Sequence, residues 1–267
     1  MALFDFASFV DDLATASGKA ILPFFRTSLT ASDKGGRGGV FDPVTEADKA
    51  GESAMRHLIK RAFPSHGIVG EEYGVEQADA EYVWVLDPID GTRGFISGLP
   101  SWGTLIGLTR NGRPCYGMMH QPFTRERFSG DGGKALYRGP MGGGEPGERR
   151  LRTRRCASLA EATLSSTSPH AFPTAEEGEA FARLAQGARN VRYGADCYAY
   201  CMVAAGHIDL VVEAGLAPYD IVALIPIIEG AGGIVTTWDG GDPARGGRIL
   251  AAGDKRVHEE AMRVLAG

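Results

Sequence analysis

The nine residues from Tyr82 to Asp90, YVWVLDPID, constrain this chain more than any other stretch. Val83, Trp84, Val85 and Leu86 form a near-continuous apolar run of β-branched and aromatic residues, the make-up of a strand bound for a core. The run ends in two carboxylates, Asp87 and Asp90. A Gly-Thr step at Gly91 and Thr92 follows and opens a short helix. Acids delivered to the end of a buried strand, beside a helix start, belong to a cleft where side chains converge.

The flanking patterns predict an α+β first half. Phe6, Phe9, Val10, Leu13 and Ile21 recur at helical spacing over 4–26, and Ala54, Leu58 and Ile59 do so over 44–62. The 32–42 stretch, SDKGGRGGVFD, reads as a turn-rich loop or hairpin. GIVGEEYG reads as a short strand broken by two acids. Asn111-Gly112 joins two apolar strands as a hairpin over 104–122, and 126–139 reads as a second hairpin. From about residue 155 strands and helices alternate, ending in a helix over 254–265. That pattern makes the second half α/β and the chain as a whole an α/β protein. The division is placed between 1–145, with the Asp87–Thr92 motif, and 146–267, with Asp220.

Composition excludes several function classes. A net charge of -5 gives no general electrostatic grip on nucleic acid. The one basic cluster, Arg149 to Arg155, reads as a solvated strand face. The four cysteines, Cys115, Cys156, Cys197 and Cys201, suggest no disulfide framework and read as free thiols in a reducing, cytoplasmic setting. The acidic N-terminal stretch does not read as a signal peptide, and no apolar run approaches the roughly 18 residues of a membrane span.

The remaining acids share the setting of the opening motif. Asp48 and Asp220 stand where helices begin, and Glu71 and Glu72 where a strand ends. Each alone could be a helix-start or turn residue. Gathered in one place, such carboxylates repel unless cations neutralise them. Hard oxygen donors without His or thiolate partners suit Mg²⁺, with Mn²⁺ possible. The Gly91-Thr92 step adds backbone N–H groups for phosphate oxygens. Carboxylates for metals beside an anion nest point to phosphoryl transfer, with water as acceptor in a phosphatase.

GEE, then DPIDGT, then YD with an apolar helix and EGAGG, resemble the inositol monophosphatase-like family, lithium-sensitive Mg²⁺-dependent phosphomonoesterases of layered αβαβα architecture. The resemblance runs from Asp42 to Gly233. It implies two or three metals: Glu71, Asp87 and the Ile89 carbonyl hold the first, and Asp87, Asp90 and Asp220 the second, with Glu71 reaching a weaker third. Gly91 and Thr92 bind phosphate through N–H groups. Asp48 and Thr92, with Glu71 as a further catalytic residue, orient a water made acidic by metal. It also implies a homodimer.

Within that family, the run RGFISGLPSWGTLIGL with HGIVGEE, GADCYAY and DLVVEAGLAPYD is more similar to histidinol-phosphate phosphatases. Asp196 and Glu213 become the specificity residues by motif position, with Asp220 also reaching substrate. Asp196 as a helix cap and Glu213 as a salt-bridged strand end are the alternatives. Tyr198 and Tyr200 read as packing, and none of the six His as ligand or base. Lys34 has no fixed role. Three readings stay open: histidinol-phosphatase, inositol or broader sugar monophosphatase, and a mainly regulatory binding protein.

Overall fold

The computed structural model describes residues 6–27, 32–33 and 43–267. Lys34 and the rest of 34–42 lie outside the described residues. Strands β1 (Ser32–Asp33) and β2 (Pro43–Val44) pair antiparallel on either side of that stretch.

Helix α1 spans Phe6–Ile21 and α2 spans Glu46–Ala62. The helix expected over 4–26 stops at Ile21, and Leu22–Phe24 continue as a 3-10 turn around Pro23. Thr45 caps α2: its hydroxyl accepts the Ala47 N–H at 3.1 Å.

The strands that follow are β3 (Gly67–Gly70), β4 (Gly74–Glu76), β5 (Tyr82–Asp90), β6 (Gly103–Arg110), β7 (Arg113–Gln121), β8 (Glu126–Gly130), β9 (Ala135–Pro140) and β10 (Pro146–Arg150). They form one eight-stranded sheet in the order β10-β9-β8-β7-β6-β5-β3-β4. Only β3 and β5 run parallel among these neighbours. The β6–β7 hairpin turns at Asn111 (φ 51) and Gly112 (φ 76), the left-handed pair that an Asn-Gly turn supplies. β10 follows the division expected at residue 145 and still pairs with β9, so the larger sheet extends to Arg150.

The second sheet has the order β12-β11-β13-β15-β14. Its strands are β11 (Thr163–Ser166), β12 (Asn190–Tyr193), β13 (Leu210–Leu216), β14 (Ile234–Thr237) and β15 (Gly247–Ala252). The helices are the short α3 (Thr92–Ile96), α4 (Ala175–Gly187), α5 (Asp196–Ala204), α6 (Pro218–Ile221), α7 (Leu224–Gly230) and α8 (Lys255–Ala266). The single helix expected from Tyr219 to Gly233 is two, α6 and α7. Pro226 has no N–H to give Val222, so the helical ladder breaks just before it.

Period-two alternation builds the layers. On β13, Leu210 and Val212 pack toward α4 and α8, while Val211 packs toward α5 and α7. On β15, Leu250 and Ala252 face the first group, and Ile249 and Ala251 the second. On the larger sheet Trp84, Leu86 and Ile106 meet Val10, Leu13, Met55 and Ile59 of α1 and α2. The opposite face, with Leu105, Met119 and Phe128, meets Tyr200, Ile227 and Ile228. The order is helices, sheet, helices, sheet, helices: an αβαβα sandwich. The α6–α7 segment lies directly on the larger sheet because Gly117 offers no side chain. A Cβ there would stand 1.8 Å from the Ala223 carbonyl oxygen.

The basic run divides. Arg149 and Arg150 lie on β10, whereas Arg154 makes a bidentate pair with buried Asp209 at 2.7 and 2.5 Å. All four cysteines are free, and no described helix is long and apolar enough to cross a membrane.

Candidate active site

Residues three apart on a regular strand point to opposite faces, so Asp87 and Asp90 should diverge. They do not, because β5 carries a bulge. Asp87 pairs with Leu105 and Asp90 with Gly103, three residues against two. The extra residue returns Asp90 to the face of Asp87, toward the middle helical layer. Pro88 sits in the bulge, where no ladder N–H is required of it. The Thr104 hydroxyl donates to the Pro88 carbonyl at 2.8 Å, and the Ile89 N–H donates to Asp87 Oδ1 at 3.0 Å.

Three other elements bring acids to this strand end. Asp220 opens α6, which packs on β5, and its Oδ2 accepts the Ala217 N–H at 2.7 Å. Oxygens of Asp87, Asp90 and Asp220 lie within 4.8 Å of one another. Glu71 follows β3, and its N–H donates to the Leu86 carbonyl at 3.2 Å, extending the parallel pairing to β5. Its carboxyl lies close enough to that of Asp87 to act on it. Burial, then the charges of Glu71, Asp90 and Asp220, push the Asp87 carboxyl well above the carboxylate range. Burial, then Asp196 and Asp220, do the same to Asp90.

Asp48 lies buried on α2. Its Oδ2 accepts the Thr45 N–H at 2.8 Å and the Thr45 hydroxyl at 2.6 Å. Its Oδ1 is buried with no protein partner. Burial raises this carboxyl, and Glu71 adds to the effect. Thr92 stands apart from Asp48 in its bonding: its hydroxyl donates to the Ile89 carbonyl at 3.0 Å. Gly91, at φ 87, takes the sharp turn into α3, where a Cβ would meet the Ser101 carbonyl at 2.9 Å.

The C-terminal half supplies the other wall. Asp196 holds a left-handed φ of 44 at the start of α5, a strained setting for a non-glycine residue. It is not the cap of that helix. Ala195 occupies the cap position, and Asp196 Oδ1 meets the Thr167 hydroxyl at 3.1 Å. Glu213 is not an ion-paired strand end either. Its Oε1 accepts the Thr167 N–H at 2.8 Å and hydroxyl at 2.5 Å, and its Oε2 accepts the Tyr200 hydroxyl at 2.9 Å. Thr167 has one hydroxyl hydrogen for two carboxyl groups. Burial and then the Glu213 charge push Asp196 up to about 6, and burial raises Glu213. Tyr200 is thus a pillar under Glu213, while Tyr198 donates to Glu126 Oε2 at 2.7 Å.

Two adjoining cavities result. One is lined by Glu71, Asp87, Gly91, Thr92 and Arg93; the other by Phe172, Tyr200, Glu213 and Leu216. Asp90, Thr167, Asp196 and Asp220 line both. The donor set of the first is all oxygen, from clustered carboxylates that are costly to leave together without a cation, and it fits a hard divalent ion. The structure brings together Glu71, Asp87, Ile89, Asp90, Gly91, Thr92 and Asp220, with Asp196 at the junction and Glu213 in the second cavity. Asp48 lines neither cavity, and the Glu71 charge acts on it.

The inositol monophosphatase family model matches residues 5–266. The chain belongs to the inositol monophosphatase family. It is 42% identical to the chloroplastic bifunctional phosphatase IMPL2 of Arabidopsis thaliana, over 97% of this chain and 75% of the relative. It is 34% identical to a histidinol-phosphatase of Mycobacterium tuberculosis, over 84% of this chain and 85% of that one. Its fold superposes on an inositol monophosphatase structure from Zymomonas mobilis with a TM-score of 0.83 and 39% identity, covering 96% of each chain. As a member of this inositol monophosphatase family it is a metal-dependent phosphatase that hydrolyses phosphomonoesters.

Sequence reasoning passed over four residues in this family member. Arg93, in the first cavity, was read only as part of a motif. Thr167 lies in STSP with no signal beyond a polar strand end. Glu52 and Arg56 were visible in principle, since Asp48, Glu52 and Arg56 fall four apart and share one face of α2.

Proposed function

We propose that this phosphatase is Mg²⁺-dependent and hydrolyses L-histidinol phosphate to L-histidinol and phosphate, a step of histidine biosynthesis. The observation that carries the reading is the junction of the two cavities. Asp196 and Glu213 stand beside the metal-type acid cluster, where the leaving group of a bound phosphomonoester would lie. Histidinol carries an ammonium and a protonatable imidazole. Two carboxyl groups offer such a cation charge-assisted contacts.

Glu71, Asp87 and the Ile89 carbonyl would hold one Mg²⁺, and Asp87, Asp90 and Asp220 a second, with Glu71 reaching a third. When bound, these ions supply Lewis-acid stabilisation and a more acidic water. Gly91 and Thr92 present backbone N–H groups to the phosphate, and Arg93 adds positive charge at that end. Asp48 and Thr92 orient the attacking water; the unpartnered Oδ1 of Asp48 is the acceptor available to it. Asp220 also borders the substrate cavity. The same reading carries a cytoplasmic homodimer, which sizing of the purified chain tests.

The likeness to the Zymomonas mobilis inositol monophosphatase supports a second reading, inositol 1-phosphate or a wider set of sugar phosphates. Phosphate release with Mg²⁺ from histidinol phosphate, inositol 1-phosphate and fructose 1,6-bisphosphate separates the two. Histidinol phosphate should have the highest kcat/KM; a flat profile would favour the second reading.

A further inference from the structure

Helix α2 turns an ionic stripe inward, and the reaction chemistry above uses only its first member, Asp48. Glu52 is 0% exposed and Arg56 5%. Glu52 Oε1 accepts the Arg56 Nε hydrogen at 2.7 Å and the Tyr73 N–H at 3.2 Å, while Oε2 accepts the Glu72 N–H at 2.7 Å. Arg56 also donates through Nη2 to the Gly74 carbonyl and through Nη1 to Glu76 Oε1, the latter at 2.9 Å. Glu76 in turn takes Lys60 at 2.7 Å. The backbone of the turn is therefore gripped at residues 72, 73 and 74, directly after Glu71. Glu71 itself is pinned to β5 by its own N–H.

The glycine of the GEE motif belongs to the same device. Gly70 has no left-handed φ to account for it. A Cβ there would lie 2.0 Å from Glu52 Oε1 and 2.8 Å from Arg56 Nη2. The motif has glycine at this place because the carboxylate of Glu52 occupies the space. A buried ion pair is a poor way to gain stability, since apolar residues of similar volume often do as well or better. A buried pair that satisfies consecutive backbone donors of a functional turn does something apolar residues cannot.

We propose that Glu52 and Arg56 are positioning residues for metal binding: a clamp that holds the β3–β4 turn so that the Glu71 carboxylate is presented to Asp87 before any cation arrives. The inference rests on the reading of Glu71 as a metal ligand. Partners that orient metal ligands typically set affinity by about 10–100-fold.

The test uses the full chain with Mg²⁺ calorimetry, amide hydrogen exchange without metal, and turnover at saturating Mg²⁺. E52Q should weaken Mg²⁺ binding by about tenfold or more, speed exchange at Glu72 and Tyr73, and leave kcat at saturating Mg²⁺ far less affected. E71Q is run beside it. Weaker Mg²⁺ binding in E71Q with unchanged binding in E52Q, even if E52Q melts earlier, would overturn the clamp and leave the ligand reading standing. Unchanged Mg²⁺ binding in E71Q would overturn the ligand reading, and the clamp with it. If E52Q does not fold, E76Q carries the test from the half-exposed outer end of the network. Faster exchange at Tyr73 with weaker Mg²⁺ binding supports the clamp, and no change in either overturns it.

Discussion

The backbone N–H of Cys197 donates to Asp90 Oδ2 at 2.7 Å, joining the end of β5 to the first turn of α5 across 107 residues. One carboxylate oxygen is thereby committed to the fold, and the acid cluster cannot be assembled without the second half of the chain. Removing the Asp90 charge should therefore separate function from folding.

Asp90→Asn keeps an oxygen for the Cys197 N–H and loses the charge. Lewis-acid stabilisation is worth several kcal/mol, and each 1.36 kcal/mol is tenfold in rate, so kcat should fall by about 10³ or more. Metal-free stability should move the other way. The folded state raises the Asp90 pKa, so it binds more protons than the unfolded chain above the ordinary carboxylate pKa, and stability is lost as pH rises. At pH 7 the metal-free variant should melt above the wild type. Mg²⁺ should raise the melting temperature of the wild type by mass action and do so much less in the variant. A variant that melts below the wild type without metal would contradict the electrostatic account of the cluster.

Thr92→Ala removes the hydroxyl that donates to the Ile89 carbonyl. With its partner lost, that carbonyl is free to relax, at a cost near 1 kcal/mol of stability. If Thr92 and Asp48 orient the attacking water, kcat at saturating Mg²⁺ should drop by roughly 10²–10⁴, beyond the roughly 10–100-fold loss of Mg²⁺ affinity that freeing the Ile89 carbonyl accounts for. Strong loss of Mg²⁺ binding with normal kcat at saturating metal would assign Thr92 to the metal shell instead.

His120 provides a pH signature separate from the acid cluster, since its ring on β7 faces Gly18 of α1. It is 6% exposed, and burial, then the charge of Arg127, lower its pKa to about 4. Between about 6.5 and 4 the unfolded chain binds the extra proton and the folded chain does not. Stability is therefore lost as pH falls through that window, by about 3 kcal/mol. Denaturant unfolding at pH 7 and pH 4.5 should show a larger loss in the wild type than in His120→Gln. Equal losses would mean that the ring is protonated without penalty in the folded state.

Most of the element order was legible because it rests on local chemistry. Asn111-Gly112 demands a hairpin, the unbroken apolar run Leu210-Val211-Val212 demands a strand with two buried faces, and the glycines after Glu229 end a helix. The acids were legible as a set because each ends a strand or opens a helix. Their convergence on one cleft was legible on the same grounds, but not the means by which Asp87 and Asp90 come to share a face. Period-two reasoning sends Asp87 and Asp90 to opposite faces, and only the β5 bulge, visible in the register against β6, reunites them. The left-handed backbone of Asp196 was equally hidden, since nothing local marks it. It follows from the packing of α5 against the strand end at Gly91, whose absent Cβ would stand 3.2 Å from the Asp196 Cβ. The break between α6 and α7 was marked in the sequence by Pro226 and masked by the apolar run around it.

The geometry of Asp196 and Glu213 bears most directly on the substrate. Both carboxyl groups are drawn to the single hydroxyl of Thr167, and Glu213 has the shorter contact, 2.5 Å against 3.1 Å. Glu213 is also served by the Thr167 N–H and the Tyr200 hydroxyl, so Asp196 takes fewer hydrogen bonds from the fold, with the Arg93 charge acting on it as well. A cationic leaving group would complete its partners. A neutral polyol can donate hydroxyl hydrogen bonds but brings no charge, and a partly buried carboxylate left poorly paired costs about 1–3 kcal/mol. That corresponds to roughly fivefold to about 150-fold in discrimination. In the wild type, kcat/KM should favour histidinol phosphate over inositol 1-phosphate by at least about fivefold at equal Mg²⁺ and ionic strength. Asp196→Ala should shrink that ratio, chiefly by weakening histidinol phosphate. Glu213→Gln should do so less, because its oxygens are already committed to Thr167 and Tyr200. Equal efficiency on the two substrates in the wild type, or a ratio that Asp196→Ala leaves unchanged, would remove the case for a cationic leaving group and favour the inositol phosphate reading.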